Sequence, residues 1–545
     1  MTYTPNTFDP VRSDIARRHL PPVVAAGSAA VIGLGAAGTS PAAAEPSARR
    51  DEIANPRFEN GLDGWKVVGD GASVVELDDG TCSLRCAPTQ GGSVTVSQEV
   101  EIRRPRWWTL RTSVRAGGSG TASTLTLRSR RTQEQVHIPV TGSSEDRLEI
   151  ALSAQLPAGL LEIELRTEGA DGAWAEITDL RLESGHVQRD VRGADLSGIP
   201  KNEAHGAEYF SADGSVSVDP VEVFAEHGAT MGRLRVWVDP ADGFCTPEHT
   251  VAMARRISQA GMEVLIDFHY SDTWTDPGAQ GVPSAWLPDA PEGLTDAVAE
   301  HTRSTLLAIR DAGVDVAAVQ VGNEINPGML WPWGQTWDVD PDDGVDGARY
   351  DDLARFLTAG SLAVTEVFPA AEVMLHLTNI HDGVDGLTSW FDEIVRRDVP
   401  FDVIGLSYYS YWHGTLMDLQ RAISTLADRY ERDVIVVETA YAFTLEDDPD
   451  SPFENIVAEP SQLAEGYPAS PEGQAAAFRA VQDVTVSAPS TGGRGRGAVY
   501  WEPAWTAVDG AGWDPEDPAS GNAWENQAMF DFDGHLLPAP FAAFS

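Results

Sequence analysis

The sequence predicts an α/β (β/α)8 TIM barrel preceded by an all-β jelly-roll sandwich. Three observations carry this. Short alternating strands separated by Gly, Ser, Asp and Pro turns run from about residue 50 to 186. Beyond residue 190 the rhythm changes to strand then helix, and eight such units fit in the remaining chain. With 545 residues and 42% hydrophobic content, two folded domains are the default.

The first 44 residues read as an address. Arg17 and Arg18 precede a mildly apolar Ala/Gly/Val stretch that ends in Ala42-Ala43-Ala44, a twin-arginine-like signal peptide. That stretch is short and interrupted, and no later segment is long and apolar enough to span a bilayer, so a secreted, extracellular, membrane-free protein is expected. Cys82, Cys86 and Cys245 lack the CxxC spacing of a zinc site and leave an odd thiol even if two pair.

Residues 50–186 alternate in strand fashion, as in Ser123-Thr-Leu-Thr-Leu-Arg. The opening NPRFENGLDGWKVVGDG (55–71) and the closing ITDLRLESG (177–185) resemble the ends of jelly-roll carbohydrate-binding modules with a galactose-binding-like fold. Trp65, Trp107, Trp108 and Trp174 could offer a flat ring to a sugar, but tryptophans of sandwiches are more often core, and none is assigned to a ligand.

Residues 190–545 carry the barrel pattern. Its strands are VRGADLS (191–197), MGRLRVWV (231–238), EVLIDFHY (263–270), VAAVQVGNE (316–324), EVMLHLTN (372–379), DVIGLSYY (402–409), DVIVVETA (433–440) and GAVYWEP (497–503). Helical patterns separate them, among them 249–261, ending in glycine, and 350–368. In this fold the reacting groups sit where strands meet the following loops. Those strand ends carry Arg235, His269, Asn323, Glu324, His376, Tyr408, Tyr409, Glu438 and Trp501. A lone strand-end acid is as easily an ion-pair member as a catalyst. Two acids, Glu324 and Glu438, following apolar runs beside aromatics and an asparagine fit the carboxylate pair that glycosidic cleavage requires.

The segments 267–286, 319–334, 405–416, 436–444 and 499–505 then resemble, in order, those of the arabinogalactan endo-β-1,4-galactanases, glycoside hydrolase family 53. The likeness runs from GADLSGIPKNE (193–203) to FDFDG (530–534). It implies a retaining endo-hydrolase of galactan and arabinogalactan, with Glu324 as acid/base and Glu438 as nucleophile. Arg235 would keep Glu438 ionised, and one of Tyr408 and Tyr409 would donate to the same carboxylate. Asn323 would hold the sugar 2-hydroxyl and Trp501 stack under the ring, although a core role for Trp501 stays open. His269, His376, Asp272, Trp274, Asp276, Gln280 and Trp412 complete the expected substrate contacts.

Catalysis by this reading needs no cofactor. A structural calcium, which the resemblance suggests after strand seven, would fall to Asp448, Asp450 and Asn455 of EDDPDSPFENIV (446–457), where the family's histidine is absent. An acidic loop that is merely solvated is the competing reading.

With 83 acidic against 38 basic residues the net charge is -45, which repels nucleic acid and anionic lipid. Only Lys66 and Lys201 are lysines. An acidic, lysine-poor surface suggests salt adaptation, whereas an arginine-favouring genome explains the missing lysine but not the acidic excess. A monomer is expected. The alternatives are a related retaining hydrolase of mannan or cellulose, and a carbohydrate-binding barrel without activity.

Overall fold

The computed structural model describes residues 49–545 apart from 51, 78–79, 90–91, 119–121, 134, 141–146, 170–171, 186–188, 450–454 and 465. The expected signal peptide lies outside the described residues, as does part of the connection between the two domains.

Two sheets face each other in the N-terminal part. One is built on Ser93–Ile102, Gly159–Glu168, Ala122–Ser129 and Gln135–Pro139, paired antiparallel in that order, and the other runs Ala72–Glu76, Cys82–Cys86, Trp174–Ser184, Arg106–Gly117, Leu148–Leu156. Strict alternation explains the layering: Leu161, Ile163 and Leu165 are buried, while Glu162 and Glu164 on the opposite face meet Arg128. Trp65 and Trp108 are buried, and Arg85 covers the Trp174 ring at 4.1 Å, so these rings serve the fold. All three cysteines are free.

Eight parallel strands then close into a barrel. They are β1 (Val191–Asp195), β2 (Met231–Val236), β3 (Glu263–Phe268), β4 (Ala318–Val321), β5 (Glu372–Leu377), β6 (Val403–Ser407), β7 (Asp433–Thr439) and β8 (Gly495–Tyr500). Closure is set by Val191 pairing Gly497. Each strand lies within the segment predicted for it or, in β8, begins two residues earlier, and most end before the polar residues that start the loops.

Inward-facing residues form layers, as the two-residue period dictates. The lowest layer is apolar, with Val191, Met231, Leu265, Ala318, Met374, Val403 and Val499 in one cluster. The next residue on the same face of β2 to β5 is polar, Arg233, Asp267, Gln320 and His376, and Asp195 of β1, paired with Arg233 after Gly193, joins them; all five are buried. β7 interrupts this regularity. Its pairing with β6 jumps from Val436 opposite Leu406 to Glu438 opposite Ser407, a bulge that sets Glu438 beside the mouth.

Several helices start on side-chain caps. Thr246 caps Pro247–Gln259, Thr415 and Asp418 form a capping box on Leu416–Tyr430, and Ser470 caps Pro471–Ser487. The last two helices also meet the sandwich. The Gln420 amide donates to the Glu149 carbonyl at 2.6 Å and accepts from the Glu149 N–H at 2.8 Å, as a neighbouring strand would. Pro471–Ser487 packs on Leu148–Leu156, and a cavity of about 360 Å3 lies between the domains.

Candidate active site

β4 leaves the barrel through Gly322, at φ +93, and Glu324, at φ +49. A side chain at 322 would collide with Ile325, and a non-glycine residue held left-handed costs on the order of 1 kcal/mol. That turn carries the Glu324 carboxyl to the mouth. Its Oε1 accepts from the Ser407 hydroxyl at 2.5 Å.

Glu438 is buried and held from two sides. Arg233 Nη2 donates to Oε1 at 2.8 Å and the Tyr409 hydroxyl to Oε2 at 3.1 Å. Arg233 is itself a hub, with Nη1 on Asp195 at 2.7 Å, Nη2 on Asp267 at 2.9 Å and on Asn323 at 3.0 Å, and Nε on Gln320 at 2.7 Å.

The two carboxyls therefore have unlike surroundings. Burial, then the charge of Glu438, push the Glu324 proton affinity well above the usual carboxylate range. Burial also raises Glu438, to about 7, but Arg233 opposes it most strongly and Tyr409 helps. In the coupled pair the proton rests on Glu324 and the charge on Glu438, the division an acid and a nucleophile need.

A barrel with one protonated and one arginine-held glutamate at strand ends four and seven invites comparison with known glycosidases. A family model, Glycosyl hydrolase family 53, matches residues 191–543. The chain belongs to glycosyl hydrolase family 53. An endo-beta-1,4-galactanase of Bacillus subtilis is 33% identical over 405 residues, covering 67% of this chain and 89% of that protein. The arabinogalactan endo-beta-1,4-galactanase of Thermothelomyces thermophilus is 32% identical over 325 residues, covering 58% of this chain and 89% of that one. Among solved structures, the Ignisphaera aggregans GH53 catalytic domain superposes with TM-score 0.59 at 34% identity, covering 65% of this chain and 95% of its own.

Within this family 53 barrel several expected roles move. Arg235 does not touch Glu438. It faces inward like Arg233 but one layer higher, where it pairs with Glu502 at 3.0 Å and stacks on Trp274 at 3.9 Å. Tyr409 is the tyrosine on Glu438, whereas Tyr408 points outward, donates to the Gly414 carbonyl at 3.1 Å and lines the interdomain cavity.

Four residues expected to contact substrate make hydrogen bonds within the protein. His269 is buried between Asp267, 3.0 Å from Nε2, and the Thr275 hydroxyl, 2.9 Å from Nδ1. His376 is buried with both ring nitrogens engaged, Nε2 by Ser407 at 2.8 Å. Gln280 is buried and donates to the Asn323 carbonyl at 2.9 Å, bracing the turn that carries Glu324. Asp272 accepts from the N–H groups of Asp239 at 3.1 Å and Ser284 at 2.8 Å, stapling two loops.

The remaining residues gather at the mouth. Asn323 spends its Oδ1 on Arg233 and one amide N–H on the Thr275 carbonyl, leaving the second N–H for a ligand. Trp501 sits 4.7 Å from Trp524 and 5.8 Å from Trp274, between ring centroids, and Trp412 lies 6.0 Å from Trp524. Asp276 is lifted to about 6 by burial, and its charge adds to the field that raises Glu324.

Sequence reasoning missed Arg233, Ser407, Glu502, Asp195 and Asp267. Arg233, Asp267, Ser407 and Glu502 each lie one or two positions from a residue already singled out, and that adjacency was the available signal; Asp195 on β1 had no such neighbour.

In the loop after β7, Asp450 lies outside the described residues. Asp448 and Asn455 are buried; Asn455 donates to the Glu446 carbonyl at 3.0 Å, and its Oδ1 is enclosed with no hydrogen-bond partner among the described residues. An orphaned amide oxygen is a hard donor of the kind calcium takes. Among the described residues no group of three or more His, Cys, Asp or Glu side chains is arranged to hold a metal ion.

Proposed function

We propose that this family 53 enzyme is an exported, endo-acting retaining hydrolase of β-1,4-galactosidic bonds in galactan and arabinogalactan. The relatives named for that activity support the substrate, and the unlike surroundings of Glu324 and Glu438 support the mechanism.

Glu438, ionised beside Arg233, attacks the anomeric carbon while Glu324 gives its proton to the departing oxygen. The bond to the leaving sugar breaks and a galactosyl ester on Glu438 forms. Glu324, now a carboxylate, takes a proton from water, whose oxygen displaces Glu438 and yields the β-anomer. The free Asn323 N–H suits the sugar 2-hydroxyl, and Trp501 offers its face to the ring.

Glu438→Ala should abolish cleavage of every substrate. Glu324→Ala should spare the first step for aryl galactosides whose leaving group needs no proton, and azide should then speed turnover. An α-configured first product, read by NMR, would rule out these roles.

The same proposal includes the N-terminal signal, a monomeric state, sugar binding by the sandwich, and a structural calcium on Asp448, Asp450 and Asn455. Calcium should then raise the melting temperature of chelator-treated protein; an unchanged temperature removes the metal.

A further inference from the structure

Ser407 and His376 have no part in the two-step scheme, yet they stand directly behind Glu324. Resting on the reading of Glu324 as acid/base, we infer that Ser407 is a positioning residue. Its hydroxyl, kept a donor by His376, occupies Glu324 Oε1, so that the catalytic proton is carried on Oε2 and released readily for the second step.

The direction of this chain follows from the amides behind it. Arg233 Nε donates to Gln320 Oε1 at 2.7 Å, and Gln320 Nε2 donates to Asp267 Oδ1 at 3.1 Å, which fixes how the Gln320 amide is turned. Gln320 Nε2 also lies 3.1 Å from His376 Nδ1, and the Glu324 N–H lies 3.4 Å from the same nitrogen. Two donors facing Nδ1 make it an acceptor.

The neutral ring therefore carries its proton on Nε2, 2.8 Å from Ser407 Oγ. Ser407 has one proton, and with His376 donating to its oxygen that proton goes to Glu324 Oε1 at 2.5 Å. The opposite tautomer would place Nδ1–H on Asn323 Oδ1, 3.0 Å away, where a second lone pair can accept it, but that proton would face the N–H groups of Gln320 and Glu324, which both need an acceptor at Nδ1. In that arrangement Ser407 would turn its proton to His376, and Glu324 could hold its own on Oε1, facing the protein instead of the sugar. The chain excludes this unproductive acid.

His376 is suited to the task because it does not charge. Burial and the neighbouring Arg233 hold it well below the usual histidine range. Burial first, then Glu438 on β7 and Asp276 after β3, raise the proton affinity of Glu324, while the hydroxyls of Ser407 on β6 and Thr378 after β5 lower it. His413 lies 3.3 Å behind Thr378 and is held low, so it adds no cation.

The test uses full-length Ser407→Ala and Ser407→Thr, with galactan and a nitrophenyl β-galactobioside as substrates. Losing one hydrogen bond to a carboxylate should move the basic limb of kcat/KM on galactan up by about one pH unit. On the aryl substrate kcat, limited by the second step, should fall about tenfold near neutrality, while kcat/KM changes by no more than about twofold. Ser407→Thr should restore both.

A folded Ser407→Ala whose limb does not move, or whose activity falls equally at every pH, overturns the inference. Ser407→Cys, a weaker donor, gives the same readout with a smaller shift if the alanine variant does not fold. Glu324→Ala is measured alongside: galactan cleavage at the wild-type rate would defeat the acid/base reading and this inference together, whereas a normal azide rescue with an unmoved Ser407→Ala limb defeats the inference alone.

Discussion

Replacing Arg233 by Met removes the cation that faces three buried carboxylates, Asp195, Asp267 and Glu438, at 2.7, 2.9 and 2.8 Å. At an effective dielectric constant of about 20, a charge pair some 4 Å apart is worth about 4 kcal/mol, or roughly three pKa units. Proton uptake and relaxation around the vacated space absorb part of this, so the Glu438 titration should rise by about two units, on the same reasoning. The nucleophile would then be protonated where the wild type is most active. The acid limb of kcat/KM, measured with an aryl galactobioside so that Glu324 is not needed, should climb by that amount, with about a hundredfold loss on its former plateau. Orphaned buried charges should also cost about 3–5 kcal/mol of stability, read by denaturant unfolding. Arg233→Lys, which keeps the charge but not the fork, should shift the limb about half as far. Arg235→Met is the control. It severs the contact with Glu502 and uncovers Trp274, so it should weaken turnover without moving the limb. A limb that moves with Arg235 and not with Arg233 would refute this account of the nucleophile.

Tyr409→Phe should raise the same acid limb by up to about one unit, because a single hydrogen bond to Glu438 is lost, and Tyr408→Phe should leave it in place. Glu438 rises from 4.5 to about 7 on folding, so it contributes no destabilisation below 4.5 and lowers stability as pH rises through 7. Glu438→Gln should therefore match the wild type in acid and exceed it by on the order of 1–3 kcal/mol above neutrality, and an equal gain at both pH values would contradict the linkage. The melting temperature should climb from low to molar NaCl, since a net charge of -45 repels itself most when screening is weak; an unchanged value removes salt adaptation. A chain of residues 190–545 should keep its turnover of soluble galactan and melt at a lower temperature, because deletion frees Gln420 and uncovers the Pro471–Ser487 helix. Loss of activity in such a folded barrel would make the sandwich part of the catalytic unit.

The barrel was legible because its strands are apolar runs that end in polar residues, and alternation is a property of a few neighbouring positions. Glu324 and Glu438 stood out for the same reason. Both follow buried strands, and on a closed parallel barrel every such end shares one mouth. Membership of a carboxylate pair could thus be read along the chain.

Which neighbour serves which carboxylate could not be read there. Arg233 and Arg235 lie on one face of β2, two residues apart, and alternation treats them alike. Only closure of the barrel, across a sequence separation of 205 between Arg233 and Glu438, sets the lower arginine level with the nucleophile. Tyr408 and Tyr409 face opposite sides, but β6 is buried on both faces, and only closure of the barrel turns the face of Val403, and with it Tyr409, inward. The chain from Gln320 through His376 and Ser407 to Glu324 joins three strands by single hydrogen bonds, and the Gln420 amide binds a strand 271 residues away. Sequence determined what each element is because periodicity is local. Tertiary structure decided which groups meet because the strand tilt, the bulge and the docking of two domains set distances between residues far apart in the chain.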